Sequence, residues 1–268
     1  GGAGHVGFPL SLAFGSKNFK VNLIDTNNKN LHKIKLGRPP FYEIGAEKLL
    51  KKCLKKKSLF FNKNLESIKS SKFIIICIGT PINKKLKPEI KKFLSLFYQL
   101  CKLVNKNQIL IIRSSVYPGI INKISKILRK KNRNIFYCPE RIVQSKALIE
   151  LPKLPQIISG TNKKTIREVS RLFKKVCNKI IVSSIEEAEL IKLFSNANRY
   201  INFAIANQLY IMCEKNNVDF DRIRKMMRLG YERNLNLPSS GFTAGPCLLK
   251  DTMQLSSFYK GNFNLGTS

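Results

Sequence analysis

Near the end of the chain, Gly245-Pro246-Cys247-Leu248-Leu249-Lys250-Asp251 brings a thiol, an ammonium and a carboxylate together within one short stretch. If Pro246 opens a helix, Cys247 lies at its amino end, where backbone N–H groups favour thiolate. Lys250 and Asp251 then follow one turn later on the face that carries the sulfur. Such a setting suits an activated nucleophile, with the thiol expected below its free pKa of about 8.5. Cys77, Cys101 and Cys213 sit among apolar or helix-like residues and read as structural cysteines.

Two further constellations carry chemistry. Gly2, Gly4 and Gly7 in GGAGHVG form G-x-G-x-x-G ahead of a helix-like apolar stretch. The first glycine permits a tight turn, the second lets a pyrophosphate approach the backbone, and the third allows close helix packing. Asp25 ends the run VNLI; a carboxylate there binds both ribose hydroxyls of NAD and repels the 2′-phosphate of NADP. Lys192 and Asn196 are four residues apart on one helical face, with Arg199 next along it. That stripe is either a solvated face or the lining of a polar cleft.

The elements that must position these groups alternate. Apolar runs VNLI, FIIICI, ILII, NIFYC, QIIS and KIIV are separated by helix-like stretches, the pattern of a parallel sheet covered on both faces. The expected fold is α/β: a Rossmann-type doubly wound sheet, then a long helix and an α-helical central domain. Several strands end in turn or polar residues at Gly79-Thr80-Pro81, Ser114-Ser115 and Pro139-Glu140-Arg141, and ligands of open α/β sheets bind at such carboxyl ends. From about Ile185 to Asn216 one stretch lacks Pro and Gly and would make a helix roughly 48 Å long. Its apolar character requires burial against a second domain or a partner chain. The domain boundary is expected near Ser183, giving domains 1–183 and 184–268. No strand precedes the glycine loop and the first residue is not methionine, so a first strand is expected to be missing.

Composition narrows the classes. A chain of 268 residues that is 43% hydrophobic can bury a core, and no apolar run is long enough to span a membrane. Seven cysteines without a C-x-x-C pair, and only two histidines, argue against a zinc site and for a reducing, cytoplasmic setting. The net charge of +33 raises nucleic-acid binding as a competing function. Its lysines are dispersed, without an arginine-rich or aromatic-interleaved stripe, and abundant Lys, Asn and Ile together fit an A/T-rich coding composition.

These motifs, in order, resemble the UDP-glucose/GDP-mannose dehydrogenase family, most closely the branch that oxidises UDP-N-acetylhexosamines such as UDP-N-acetylmannosamine. The resemblance runs through GAGHVGFPL, PFYEIGAEKLL, IGTP, SSVYPG, YCPERIVQSKAL, LPQIISG, EAELIKLFSNANRYINFAIANQ and GFTAGPCLLKD. It implies oxidation of a sugar C6 alcohol to the carboxylate with two NAD⁺. Cys247 would attack the C6 aldehyde and carry a thiohemiacetal, then a thioester. Lys192 and Asn196 would stabilise the oxyanion, Asp251 would position water or manage protons, and Glu140 would be the base for thioester hydrolysis. Ser115 would contact cofactor and a catalytic water.

The resemblance further assigns Gly2, Gly4, Val6, Gly7, Asp25, Thr80, Ser115, Gln144 and Lys250 to the cofactor. It assigns Glu140, Arg141, Lys192, Asn196, Asn236, Ser239 and Ser240 to the UDP-sugar. It also implies a carboxyl-terminal UDP-binding domain that the chain lacks. The 185–216 helix is too long and too apolar to be covered by the residues that follow it, so it is expected to form a homodimer core. Ser115 stands where threonine is usual, Gln144 for glutamate, Leu249 for proline and His5 for an aromatic residue; no catalytic group is lost. UDP-glucose oxidation is an alternative activity. A hydroxyacid dehydrogenase of the 6-phosphogluconate type is another, but such an enzyme needs no cysteine nucleophile.

Overall fold

Period-two alternation in Ile109–Ile112 organises the first half of the protein. In the computed structural model, which describes residues 1–80, 82–83, 86–132, 134–162, 164–242, 246–259 and 262–263, all four are buried. Ile109 and Ile111 face one layer of helices, and Leu110 and Ile112 face the other. A strand apolar on both sides must lie inside a sheet covered twice. Pro81 and Gly245, two of the turn residues noted above, lie outside the described residues.

The chain divides into two compact units, Gly1–Thr80 with Glu89–Lys192, and Pro81–Pro88 with Leu193–Ser268. In the first, β1 (Val21–Ile24) pairs in parallel with β2 (Leu59–Asn62). Five further strands, β3 (Phe73–Ile76), β4 (Ile109–Ile112), β5 (Ile135–Tyr137), β6 (Gln156–Gly160) and β7 (Ile180–Val182), form a sheet in that order. The two sheets meet at the opening glycines: Gly2 N–H donates to Ile24 O, while Gly1 lies against the backbone of Cys77.

Helices cover both faces. Phe93, Phe97 and Leu100 of α4 (Ile90–Leu103) and Ile120, Ile121, Ile124 and Leu128 of α5 (Ile120–Leu128) pack on one side. Leu10 and Phe14 of α1 (Gly7–Ser16) and Val169, Leu172 and Phe173 of α7 (Ile166–Phe173) pack on the other. Each such side chain stabilises by about 1.5–3 kcal/mol on burial. Around β1, α1 also packs with α2 (Asn28–Lys35) and α3 (Ala46–Lys55) through Phe8, Leu12, Ile34 and Leu50.

Two features differ from the sequence expectation. β2 was not anticipated, because LFFN is short and directly follows a lysine cluster that reads as helix or loop. The sheet is not wholly parallel: β5 and β6 run antiparallel, with Tyr137 opposite Ser159. Only the four-residue helix α6 (Ala147–Glu150) separates them, whereas a parallel return needs a full crossover.

The long helix is α8 (Ile185–Lys215), within a residue of its expected span. A reciprocal capping box starts it: Glu187 N–H donates to Ser184 Oγ, and Ser184 N–H to Glu187 Oε2. Glu189, two residues further, is fully buried and accepts from the N–H groups of Gly119 and Ile121 at the start of α5. In the second unit, α9 (Phe220–Arg228) is capped by Asp219 and packs Phe220 against Ala206 and Cys213 of α8. The last helix is α10 (Pro246–Phe258). Among the described residues no helix is long and apolar enough to cross a membrane.

Candidate functional site

The glycine loop turns directly into α1, whose N-cap is Val6. A Cβ on Gly7 would fall 2.1 Å from Gly1 O and 2.8 Å from Gly2 Cα, so the third glycine is required by the loop itself. At Gly4 a Cβ would meet only Gly1 O, at 3.6 Å, leaving the second glycine facing space. That is the arrangement a pyrophosphate needs, with the helix amino end supplying N–H donors. Asp25 ends β1 and braces the loop: Oδ2 accepts from Ala3 N–H at 2.9 Å and Oδ1 from Asn27 N–H at 2.8 Å. A carboxylate has about four acceptor sites, so both oxygens keep capacity for ribose hydroxyls. His5 stacks on Phe41 with ring centroids 3.9 Å apart, and burial lowers its pKa. Gly2, Gly4, Val6, Gly7 and Asp25 thus form one local cradle that fits a dinucleotide.

At the carboxyl ends of β3 to β5 the chain gathers polar groups. Thr80 is buried and donates its hydroxyl to Ser115 O at 2.6 Å, bringing those two expected residues together. Glu140 is buried, and its Oε1 accepts from the N–H groups of Arg141 at 2.8 Å and Ile142 at 3.1 Å. Its Oε2 forms an ion pair with Arg113. Arg141 turns its guanidinium to Pro155 O at 2.7 Å. Gln144 is exposed on a loop pinned by Glu150, which accepts from Val143 N–H, and by Glu43, which accepts from Leu148 N–H. Lys192, on α8, is half-buried.

In the second unit Asn196 and Asp251 meet. Asp251 is fully buried; its Oδ2 accepts from Asn196 Nδ2 at 2.6 Å, and its Oδ1 lies 2.8 Å from Lys250 Nζ. Cys247 occupies the first turn of α10, as the Pro246 helix start required, and it alone of the seven cysteines is exposed. Cys53, Cys77, Cys138 and Cys177 are held protonated by burial, Cys138 up to about 12. Asn236 and Ser239 are exposed and Ser240 half-buried along a loop between α9 and α10; no described bond joins these side chains to the Asn196–Asp251–Lys250 cluster.

Sequence reasoning missed Arg113, Gln156 and Glu189. The available signal was a charged or amide side chain placed where the pattern demands apolar residues: Arg113 after ILII, Gln156 opening QIIS, and Glu189 within an otherwise apolar turn.

Residues 1–177 match the NAD binding domain of the UDP-glucose/GDP-mannose dehydrogenase family, and residues 186–264 match its central domain. A UDP-N-acetyl-D-mannosamine dehydrogenase of Methanococcus vannielii is 29% identical over 255 residues, covering 93% of this chain and 58% of the relative. Protein CapL of Staphylococcus aureus is 28% identical over 265 residues, covering 95% and 61%. The solved UDP-D-ManNAc dehydrogenase of Pyrococcus horikoshii superposes with a TM-score of 0.90 at 23% identity, covering 98% of this chain and 65% of that one. At that identity the likeness shows the fold. The chain spans about three-fifths of the length of these curated relatives, 58% and 61%.

Proposed function

The chain belongs to the UDP-glucose/GDP-mannose dehydrogenase family, and on that premise we propose that it serves as an NAD-dependent nucleotide-sugar 6-dehydrogenase. The observation that carries the reading is Cys247, the one exposed thiol, set in the first turn of α10 one turn ahead of the paired Lys250 and Asp251. A two-stage oxidation of an alcohol needs a covalent hold on the intermediate aldehyde, which otherwise hydrates and escapes. NAD⁺, held by the cradle of Gly2, Gly4, Val6, Gly7 and Asp25, would supply the hydride acceptor for each stage. The Cys247 sulfur adds to the C6 aldehyde, and Lys192 and Asn196 stabilise the resulting oxyanion, each such donor contributing about 2.7–4 kcal/mol. Asp251 holds the Asn196 amide and the Lys250 ammonium in place. Glu140 takes the proton of the water that hydrolyses the thioester.

Thr80, Ser115, Gln144 and Lys250 serve the cofactor in this reading, and Arg141, Asn236, Ser239 and Ser240 serve the nucleotide sugar. The division of labour is a dinucleotide domain over residues 1–183 and a central domain over 184–268. A UDP-N-acetylhexosamine is the favoured substrate, since similar proteins are named as UDP-N-acetyl-D-mannosamine dehydrogenases. The setting is cytoplasmic and the partner a second copy, joined through α8, whose Phe194, Ile205, Ile211 and Met212 are exposed. A strictly monomeric full-length protein in sedimentation at micromolar concentration would count against that pairing.

The decisive test is NADH production by the full-length protein against a panel of UDP-sugars, with NADP⁺ in parallel. Two NADH per UDP-N-acetylmannosamine, with NADP⁺ disfavoured by Asp25, is the expected result. Preference for UDP-glucose would move the substrate assignment, and one NADH per sugar would remove the cysteine chemistry.

A further inference from the structure

The carboxylate of Glu140 is held from three sides, and one of the three holders is costly. Arg113 follows β4, its side chain wholly buried, and its guanidinium pairs with Glu140 Oε2. A second nitrogen of the same fork donates to Gln156 Oε1 at 2.8 Å, and Gln156 is itself fixed by bonds to Pro139 O and Ile157 O. The guanidinium lies over the ring of Phe173, 5.1 Å from its centroid. Its Nε has no hydrogen-bond partner among the described residues. A buried ion pair that served packing alone could be replaced by apolar side chains at little or no loss of stability. Here the fold instead buries a cation with an unsatisfied nitrogen at the carboxyl ends of parallel strands, where such sheets bind ligands.

We infer that Arg113 is a positioning residue for the reaction proposed above, holding the Glu140 carboxylate ionised and fixed in direction for thioester hydrolysis. The inference rests on that proposed reaction. In the step concerned, water oxygen bonds to the acyl carbon and Glu140 receives the proton. The carbon–sulfur bond breaks and Cys247 leaves as thiolate, with no change of oxidation state. The backbone N–H groups of Arg141 and Ile142 fix Oε1, so Arg113 alone among side chains in the described contacts fixes Oε2. Cys77, Cys138, Cys177 and Tyr137 are the other titratable groups near Arg113. The three thiols are kept neutral by burial, so they do not compete with Glu140 for its charge.

The experiment uses full-length protein with UDP-sugar and NAD⁺. Intact-mass detection of acyl-enzyme on Cys247 is combined with the NADH burst, which counts active sites, and with pH–rate profiles. Arg113→Met is expected to keep the burst per folded molecule and the KM for NAD⁺. It should accumulate acyl-enzyme as Glu140→Gln does, with kcat falling about tenfold to hundredfold. Losing the cation raises the proton affinity of a carboxylate, so the acidic limb should move to higher pH. Arg113→Lys, which keeps charge but not the fork, should restore the limb and only part of kcat. Wild-type deacylation per active site in Arg113→Met, with the acidic limb unmoved, would overturn the inference. If Arg113→Met does not fold, an undiminished kcat per active site in Arg113→Lys overturns it instead. Unimpaired turnover by Glu140→Gln would defeat the role given to Glu140 and this inference with it, separately from any result at Cys247.

Discussion

Asn196 on α8 donates its side-chain amide over 2.6 Å to the fully buried carboxylate of Asp251 on α10, whose other oxygen holds Lys250. A carboxylate removed from water and matched to one amide and one ammonium makes both helices depend on it. Asp251→Ala leaves Lys250, whose side chain is 17% exposed, without this counterion. Breaking a buried pair from one side costs about 3–5 kcal/mol, and that loss is expected in urea unfolding. A loss below about 1 kcal/mol, the range of exposed pairs, would mean that the cluster is not a structural joint.

The glycine loop separates two effects that are often confounded. Gly7→Ala drives a methyl group into Gly1 O and Gly2 Cα, which are backbone atoms that cannot swing aside. Strain of about 1–3 kcal/mol should appear both in stability and as roughly tenfold to hundredfold weaker NAD⁺ binding. Gly4→Ala meets only Gly1 O, at ordinary contact distance. It should leave the melting temperature unchanged while weakening NAD⁺ binding, because its methyl enters the space expected for the pyrophosphate. Calorimetric titration and thermal melts on both variants check this; undiminished NAD⁺ affinity in Gly4→Ala would dismiss the cradle.

Elements whose signal is local were legible in the sequence, and those defined by distant partners were not. The 185–216 stretch announced α8 through its own composition, and the Pro246 start of α10 was written in one residue. ILII marked an interior strand because burial on both faces leaves no polar position. β2 escaped because LFFN becomes a strand only by pairing with Val21–Ile24, on the far side of α2 and α3 in the chain. The same holds for the antiparallel turn of β6 and for the partners of Arg113, 27 and 43 residues away. Of the candidate site, the glycine cradle and the Cys247 setting were readable as motifs. The bond between Asn196 and Asp251 is made by tertiary packing alone, 55 residues apart.

Glu189 gives a pH prediction. Burial raises its pKa above the ordinary carboxylate value, only partly offset by the N–H groups of Ile121 and Gly119. A raised folded-state pKa means that the protonated form favours the fold. The contribution is therefore complete below the unfolded carboxylate pKa and is lost as pH rises through the raised value. Glu189→Gln stays neutral throughout. The difference in melting temperature, variant minus wild type, should become more favourable to the variant from mildly acid to neutral pH. A difference that is flat with pH, or of opposite slope, would show that the two amides outweigh burial.

Cys247 carries the last and most consequential prediction. Six of the seven thiols are buried or half-buried, and four of them are held protonated by burial, so none of those four offers a thiolate near neutral pH. Cys247 is exposed at the first turn of α10, where its sulfur is open to an approaching aldehyde. Sulfur adds readily to an aldehyde, and the adduct's oxyanion then expels hydride; a serine hydroxyl in the same place is a far weaker nucleophile at this pH. Full-length Cys247→Ser, given the sugar aldehyde and NAD⁺, should therefore bind both but form no thioester. Its second oxidation should fall by at least about a thousandfold, a loss on the scale of removing a catalytic nucleophile. Because Cys247 is at the surface, the substitution should leave the melting temperature within about a degree or two of wild type, as surface changes do. NADH and uronate formed from the aldehyde at the wild-type rate would return Cys247 to the structural cysteines and leave the chain with its dinucleotide cradle but without a covalent step.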